Sequence, residues 1–380
     1  MKTTLRVLMI SHGYAPRIGG AERQVGALSS RLRAQGLDVR VLTRRLPGTT
    51  AYEVLDDVPV YRLPASGPKA VASLLFTLVC LRKIGQLKPD LIHAHELISP
   101  STTALLAKAL YGVPAVVTVH GSGKSSEIYR LRRRMFGKAR LRLLSRYMDA
   151  FVIISRKIAA ELDEENVPVE RRIHIPNGVD TVQFTPLPAS VKRNVRAALG
   201  LPVDALIVVY IGRLAPEKNV AQLLQAWSGV QDQVPQAKLV IVGGGPLETE
   251  LRQQAGKGVH FAGFQQHVQP YLQAADVFVL PSNAEGLSVA LLEAMSSGLA
   301  VVATAVGGTP DVISDGETGR LIQPADGLAL KQALLTVLQD PQLRDRLGQN
   351  ARRRIQTEYD LDQVAQRLSA FYWQLANKGK

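Results

Sequence analysis

The sequence predicts an α/β protein of two domains, and three observations carry that expectation. Short apolar runs alternate with helix-length segments along the whole 380-residue chain. That rhythm relaxes once, in the Pro-rich stretch FTPLPAS at 184–190, and then starts again. Aliphatic residues are plentiful while aromatics make up only 5%, which suits parallel strands buried under helices. Strand–helix alternation implies right-handed βαβ units, and hence two Rossmann-like β/α/β domains facing a central cleft. Their expected bounds are 1–186 and 187–358, with a helical segment at 359–380 crossing back to the first domain.

In the first half the strand candidates are 6–11, 39–43, 91–95, 115–120 and 150–155. Between the first two, Val25, Leu28 and Leu32 recur at helical spacing and Gly36 closes the helix. The second half offers 206–212, 238–244, 259–263, 277–282 and 300–304. In the tail, Val364, Leu368, Phe371 and Leu375 fall on one helical face. The longest apolar stretch, 70–81, is shorter than the ~20 residues that span a bilayer, so it reads first as a buried helix and second as an interfacial anchor. A single cysteine, Cys80, excludes an intramolecular disulfide and a cysteine zinc cluster. Together with the absence of a signal-peptide pattern before the first strand, that predicts a cytoplasmic protein.

The net charge of +14 is unevenly placed. Residues 1–186 hold 28 Lys and Arg against 15 Asp and Glu, whereas residues 187–380 hold 18 against 17. The first half is therefore suited to an anionic surface or acceptor. Between Arg130 and Arg146 stand eight basic residues and no acid, interleaved with Leu131, Met135, Leu141 and Leu144. Within that run Arg132, Arg133 and Arg134 are the candidates for contact with an acceptor or with the inner face of an anionic membrane. With no zinc module and no aromatic RNA-binding motif, nucleic acid is not an expected partner.

Open α/β sheets bind ligands beyond the carboxyl ends of their strands. After the first strand, Gly19 and Gly20 precede a helix and permit a close backbone approach. The dinucleotide fingerprint G-x-G-x-x-G is missing and no acid ends the second strand; Arg44 and Arg45 leave NADP as the only dinucleotide reading. In the second half Arg213 follows the first strand directly, with Lys218 five residues later. Two cations there would neutralise a diphosphate and stabilise it as a leaving group. Gly243, Gly244 and Gly245 again permit close approach.

Glu285 and Glu293 then flank the amides of Gly286, Leu287 and Ser288, which are expected at the start of a helix near Leu287 and are suited to a phosphate. From that start Glu293 lies ~9 Å along the axis, about one ribose away. Glu285 lies on the other side, where a sugar would hang. The two acids bracket a nucleotide-sugar instead of flanking a glycosidic bond as a hydrolase pair does. Sugar transfer follows as the expected chemistry.

The segments GGAERQV, TVHG, IPNGVD, IGRLAPEKN, VGGGP and EGLSVALLE extend over nearly the whole chain. With them the sequence resembles the retaining glycosyltransferases of family 4, which adopt the GT-B fold and share an E-x7-E motif. The resemblance implies that Arg213 and Lys218 hold the donor's diphosphate, helped by Gly20 and the amides of Gly286, Leu287 and Ser288. It implies that Glu293 accepts from ribose hydroxyls, that Glu285 binds the transferred sugar, and that Gly263 to Gln265 meet the base through backbone groups. His120 is implied to reach the sugar, and Asn177 and Asp180 to lie beside the hinge. The donor is a co-substrate, a UDP-sugar first and GDP-mannose second, and the acceptor a polysaccharide or lipid-linked glycan. No metal or other cofactor is expected: Asp360-Leu-Asp362, the one D-x-D, opens the tail helix, where it reads as a cap. A sugar-nucleotide epimerase is the rival enzyme reading.

Overall fold

The computed structural model describes residues 4–16, 19–123 and 126–378. Arg17 and Ile18, in the loop expected to approach a ligand, lie outside the described residues. The chain divides into two compact α/β units: Met1–Gly178 with Leu361–Lys380, and Val179–Asp360.

In the first unit the strands are β1 (Arg6–Ile10), β2 (Asp38–Arg44), β3 (Tyr52–Leu55), β4 (Val58–Leu63), β5 (Leu91–His95), β6 (Ala115–Val119), β7 (Ala150–Ile153) and β8 (Arg172–His174). They form one sheet in the order β3-β4-β2-β1-β5-β6-β7-β8. Every neighbouring pair is parallel except β3–β4. The helices are α1 (Gly20–Ala34), α2 (Lys69–Leu87), α3 (Ser99–Tyr111), α4 (Glu127–Arg132), α5 (Gly137–Tyr147) and α6 (Arg156–Asp163). Right-handed crossovers fix their sides. The step from β1 to β2 runs one way along the sheet, while those from β4 to β5, β5 to β6 and β6 to β7 run the other. The helix α1 therefore covers one face, and α2, α3 and α5 cover the opposite one.

The hairpin β3–β4 was absent from the sequence expectation for a local reason. Its turn residues Asp56 and Asp57 both have positive φ, 48° and 63°. A two-residue turn of that kind is usually signalled by Asn-Gly or Asp-Gly, and here an acidic pair supplies it. The strand β8 is only three residues long and carries too little pattern to be seen.

Two expectations are corrected by packing. The apolar stretch read as a buried helix is α2, and only one of its faces is buried. Ala72, Phe76, Cys80 and Ile84 point into the unit, while Val71, Leu74 and Leu78 are 56%, 62% and 56% exposed. By length and composition its window Ala70–Leu87 is the one helix among the described residues able to cross a membrane. The basic run, read as one segment, is split into α4 and α5 by a turn at Phe136, where φ is 60°.

The second unit holds β9 (Leu206–Ile211), β10 (Ala237–Val242), β11 (Val259–Gly263), β12 (Val277–Leu280), β13 (Ala300–Thr304) and β14 (Arg320–Ile322). Their order is β11-β10-β9-β12-β13-β14, all parallel. Helices α7 (Ala189–Ala198), α8 (Val220–Gln233), α9 (Glu248–Gln254), α10 (Gln269–Ala274) and α11 (Val289–Ser296) come first. They are followed by α12 (Thr309–Val312), α13 (Gly327–Gln339) and α14 (Pro341–Glu358). The division between units falls at Gly178–Val179 instead of 186–187, because the Pro-rich segment is bound to the second unit. The Phe184 carbonyl accepts from Ser296 Oγ at 2.7 Å and from Arg352 at 3.1 Å, and the Thr185 carbonyl accepts from Gln273 at 3.1 Å. The return lies at Asp360–Leu361 instead of 358–359, and Asp360 accepts the Thr181 hydroxyl at 2.7 Å.

The tail helix α15 (Leu361–Lys378) belongs to the first unit. Its Val364, Leu368 and Tyr372 share a core with Val25, Leu28 and Leu32 of α1. Gly178 is needed where the chain returns, since a Cβ there would stand 2.9 Å from Leu361 Cα. Truncating Leu368 to Ala is expected to destabilise the first unit by about 2–5 kcal/mol through the cavity it leaves, as read by urea unfolding. An unchanged midpoint would show that α15 is not part of that core.

Candidate functional site

In the second unit β9, β10 and β11 succeed one another in one direction and β12, β13 and β14 in the other. The order therefore reverses between β9 and β12, the point at which open parallel sheets form ligand crevices. The segment after β9 carries Arg213 and Lys218; the segment after β12 carries Ser282 and Glu285. They meet: Lys218 Nζ lies 2.6 Å from Glu285 Oε1, and the Ser282 hydroxyl donates to the same oxygen at 2.6 Å. Glu285 is only 6% exposed. Arg213 instead pairs with Glu217 and has a side chain 65% exposed.

Backbone contacts hold these loops in place. Asn283 N donates to the Glu217 carbonyl at 2.8 Å, tying the β12 loop to the β9 loop next to Lys218. Gly308 N donates to the Gly286 carbonyl at 2.6 Å. Gly307 has φ of 56°, and a Cβ there would stand 1.9 Å from the Glu285 carbonyl oxygen, so the chain can pass only as glycine. Likewise Gly243 (φ 140°) lets the end of β10 lie against Gly212, whose carbonyl a Cβ would meet at 2.0 Å.

The helix expected near Leu287 begins later. Ser288 is the N-cap of α11, its hydroxyl accepting from Leu291 N at 3.3 Å. Gly286 and Leu287 thus precede the helix, and Glu293 lies within it, 4% exposed, ~6 Å along the axis from Val289 instead of ~9 Å. Gly263 ends β11 with φ of 70° and open space where a Cβ would stand. Beside it Gln265 donates to the Ala262 carbonyl at 2.7 Å, and Phe264 is exposed. Sequence reasoning missed Ser282, Asn283 and Gly307. Their position directly after β12 and β13 was the only signal available.

In the first unit the order reverses between β1 and β5. There His12 Nδ1 lies 3.3 Å from Ser99 Oγ, which also accepts from Arg44 at 3.3 Å. Gly19 caps α1 in an extended conformation and Gly20 is its first residue. His120 follows β6, its Nε2 3.0 Å from His95 Nδ1, and the two rings stack. His93 lies behind them, 2.5 Å from the Tyr372 hydroxyl and 2.6 Å from that of Thr118. Of the basic candidates, Arg132 is taken up by Glu164 at 3.0 Å and by Glu165. Arg133 stacks on Tyr129, and Arg134 is exposed. Asn177 is buried, and the Asp180 carboxylate accepts the amides of Val182 and Gln183 at 3.0 and 2.8 Å. Asp362 pairs with Arg31 at 3.2 Å.

Two family models match the chain: Glycosyltransferase Family 4 over residues 18–183 and Glycosyl transferases group 1 over residues 191–354. Glycogen synthase of Mycobacterium tuberculosis is 30% identical over 402 residues, covering 97% of this chain and 94% of the relative. Sulfoquinovosyl transferase SQD2 of Arabidopsis thaliana is 31% identical over 296 residues, 75% of this chain; the chain spans 56% of that relative. Anabaena HepE in complex with UDP-glucose is alike in fold, with a TM-score of 0.82 over 97% of this chain and 100% of that one at 20% identity.

Burial sets the protonation of the first unit's polar cluster. It holds His93 down to about 3 and His120 to about 4, and keeps His95 well below the ordinary histidine value. Glu127 moves the other way: burial lifts its carboxyl to about 7 against the pull of the Gly121 amide, 3.3 Å from Oε2. The histidines bind more protons unfolded, so their contribution to stability is present above about pH 6.5 and is lost as pH falls toward the folded values. Glu127 binds more protons folded, so its contribution is present below about pH 4.5 and is lost as pH rises through 7. In thermal unfolding, Glu127→Gln is expected to gain on the wild type as pH rises from about 5 to about 8. Similarly, His93→Gln is expected to lose less than the wild type below about pH 6.5. Parallel pH profiles would contradict both assignments.

Proposed function

The chain belongs to the glycosyltransferases of family 4 type with the GT-B fold, and on that premise we propose that it moves a sugar from a nucleotide-sugar to an acceptor hydroxyl with retention of configuration. The observation that carries this reading is the Lys218–Glu285 bridge at the strand-order reversal of the second unit. It sets a fixed ammonium and a fixed carboxylate at the edge where an open sheet takes its ligand. The ammonium suits a donor phosphate and the carboxylate suits sugar hydroxyls.

In this proposal Lys218 and Arg213 neutralise the diphosphate as it departs. The amides of Gly286, Leu287 and Ser288 add donors to the phosphates. Glu293 accepts from the ribose, and the backbone from Gly263 to Gln265 meets the base. Glu285, held by Lys218 and Ser282, binds the transferred sugar and is not the nucleophile. The bond from the anomeric carbon to phosphate oxygen breaks, and the acceptor oxygen forms its bond on the same face. The leaving phosphate takes the acceptor's proton. In the first unit taken by itself, neutral His120 is the candidate hydrogen-bond partner for a sugar hydroxyl, and Gly19 and Gly20 are the candidates for close backbone approach to a ligand. The scheme calls on no metal.

A UDP-sugar is the first donor to test, since UDP-glucose is the ligand of the HepE structure; GDP-mannose is the second. A glycan acceptor is in keeping with the name of the glycogen synthase relative.

Replacing Lys218 by Ala is expected to lower kcat/KM on the order of 10²- to 10³-fold, as loss of a preorganised charge on a developing anion does. The double variant K218A/E285Q relieves the stranded carboxylate, so unfolding measured on both separates lost chemistry from lost fold. Undiminished turnover in Lys218→Ala would remove the leaving-group role. Calorimetric titration with UDP, GDP and ADP is expected to select one nucleotide, and Glu293→Ala to weaken its binding roughly tenfold or more, the loss of a charge-assisted hydrogen bond. An unchanged dissociation constant would take Glu293 out of the ribose site.

A further inference from the structure

The helices α2, α3 and α5 form one layer on a single face of the first unit's sheet, and they are tied side by side. The Tyr111 hydroxyl of α3 donates to the Leu81 carbonyl of α2 at 3.0 Å, and Thr103 Oγ1 donates to Thr77 Oγ1 at 3.1 Å. Lys108 of α3 donates to the Tyr147 carbonyl at the end of α5 at 2.9 Å. The outer side of this layer carries a row of exposed apolar side chains. Val71, Leu74, Leu75 and Leu78 stand out from α2, Leu106 and Leu110 from α3, and Leu143 and Tyr147 from α5, all exposed.

Within the segment that builds this layer, exposed charge has one sign, and the nearby acids Asp149 and Glu164 lie outside it, paired with Lys108 and Arg132. Residues 69–147 contain 14 Lys and Arg and only three acids, Asp90, Glu96 and Glu127, none of which is exposed. Arg82, Arg133, Arg134, Lys138, Arg142 and Arg146 are all exposed. A large apolar patch rimmed by charge marks an interaction site, and a cationic rim selects an anionic partner. An extended apolar surface whose own segment exposes cations and no acid matches a bilayer interface bearing anionic headgroups.

We propose that this helix layer docks the first unit on an anionic lipid surface, with the outer face of α2 entering the acyl boundary and the basic side chains of α5 and the turn before it meeting the headgroups. The helix lies in the interface and does not span it. Its inner residues Phe76, Cys80 and Ile84 are fully engaged in the unit's core, and spanning would strip them out. Arg132, bound to Glu164 and Glu165, is not one of the contact residues; Arg133, Arg134, Arg142 and Arg146 are.

The test is co-sedimentation of the full chain with vesicles of phosphatidylglycerol mixed into phosphatidylcholine, against vesicles of phosphatidylcholine alone. Binding is expected only with the anionic lipid and is expected to weaken as salt rises. L74S/L78S is expected to reduce it roughly tenfold or more, through loss of buried apolar area. Each of Arg142→Ser and Arg146→Ser is expected to cost about fivefold. Nucleotide affinity, measured on the same variants, is expected to be unchanged, so failure here is distinguishable from failure of the transferase reading. No binding to anionic vesicles at low salt would overturn the proposal, as would binding indifferent to L74S/L78S. A wild-type dimer that L74S/L78S converts to monomer in sedimentation velocity would overturn it too, giving the face to a second copy.

Discussion

A parallel sheet delivers the residue after every strand to the same edge, and the chemistry of each unit follows from that constraint. In the second unit the reversal between β9 and β12 opens a gap between two outgoing loops, and Lys218 and Glu285 close it with one ion pair. The pair does not stand alone. The Asn283–Glu217 backbone bond joins the same two loops, and Gly307 lets the β13 loop press against the Glu285 carbonyl. The charges are therefore mounted on backbone that is itself hydrogen-bonded, which is what fixes their positions before any ligand arrives.

The two cations of this edge are physically different. Arg213 pairs with Glu217 in the open, and such a pair contributes about 1 kcal/mol at most. Lys218 is drawn against a nearly buried carboxylate, where the desolvation cost offsets most of the attraction. A pair of that kind is poor value as a stabilising device. In the proposed reaction its merit is electrostatic: a fixed charge in a partly dry site would act on a developing anion without reorganising first. Ser282, by donating to the same Glu285 oxygen, keeps the carboxylate satisfied while Lys218 retains ammonium hydrogens for another acceptor.

How much of this was legible in the sequence follows physical lines. Strands buried on both faces, such as β5 and β13, announce themselves as apolar runs and were read to the residue. The hairpin β3–β4 was invisible because its turn uses two aspartates in left-handed conformations, and β8 and β14 because three residues hold no period. The residue types of the site were legible from their place after strands, but its hydrogen-bond partners were not. Nothing in the spacing of Lys218, Ser282 and Glu285 states that they converge on one oxygen, since that depends on β9 and β12 being neighbours. The start of α11 was misjudged by two residues because Ser288 caps it, and a serine is as common in a loop as at a cap.

The misreading of α2 has a deeper cause. A helix with one apolar stripe identifies its buried side, whereas a helix apolar all round identifies none and is ordinarily assigned to a core. The sheet supplies an apolar neighbour on one side only, because right-handed crossovers put α2 in an outer layer. Within the unit, then, Val71, Leu74 and Leu78 on its outer side have no counterpart, and water is a poor one. The sequence around it resolves the question that its own periodicity cannot. The segment 69–147 holds 14 Lys and Arg, eight of them between Arg130 and Arg146, against three acids, so on the proposed docking the partner must accept hydrocarbon at its centre and carry negative charge at its rim. The uneven distribution of charge between the two halves of the chain, which composition alone left as a bulk property, becomes a directional one once α2 is placed on the outside.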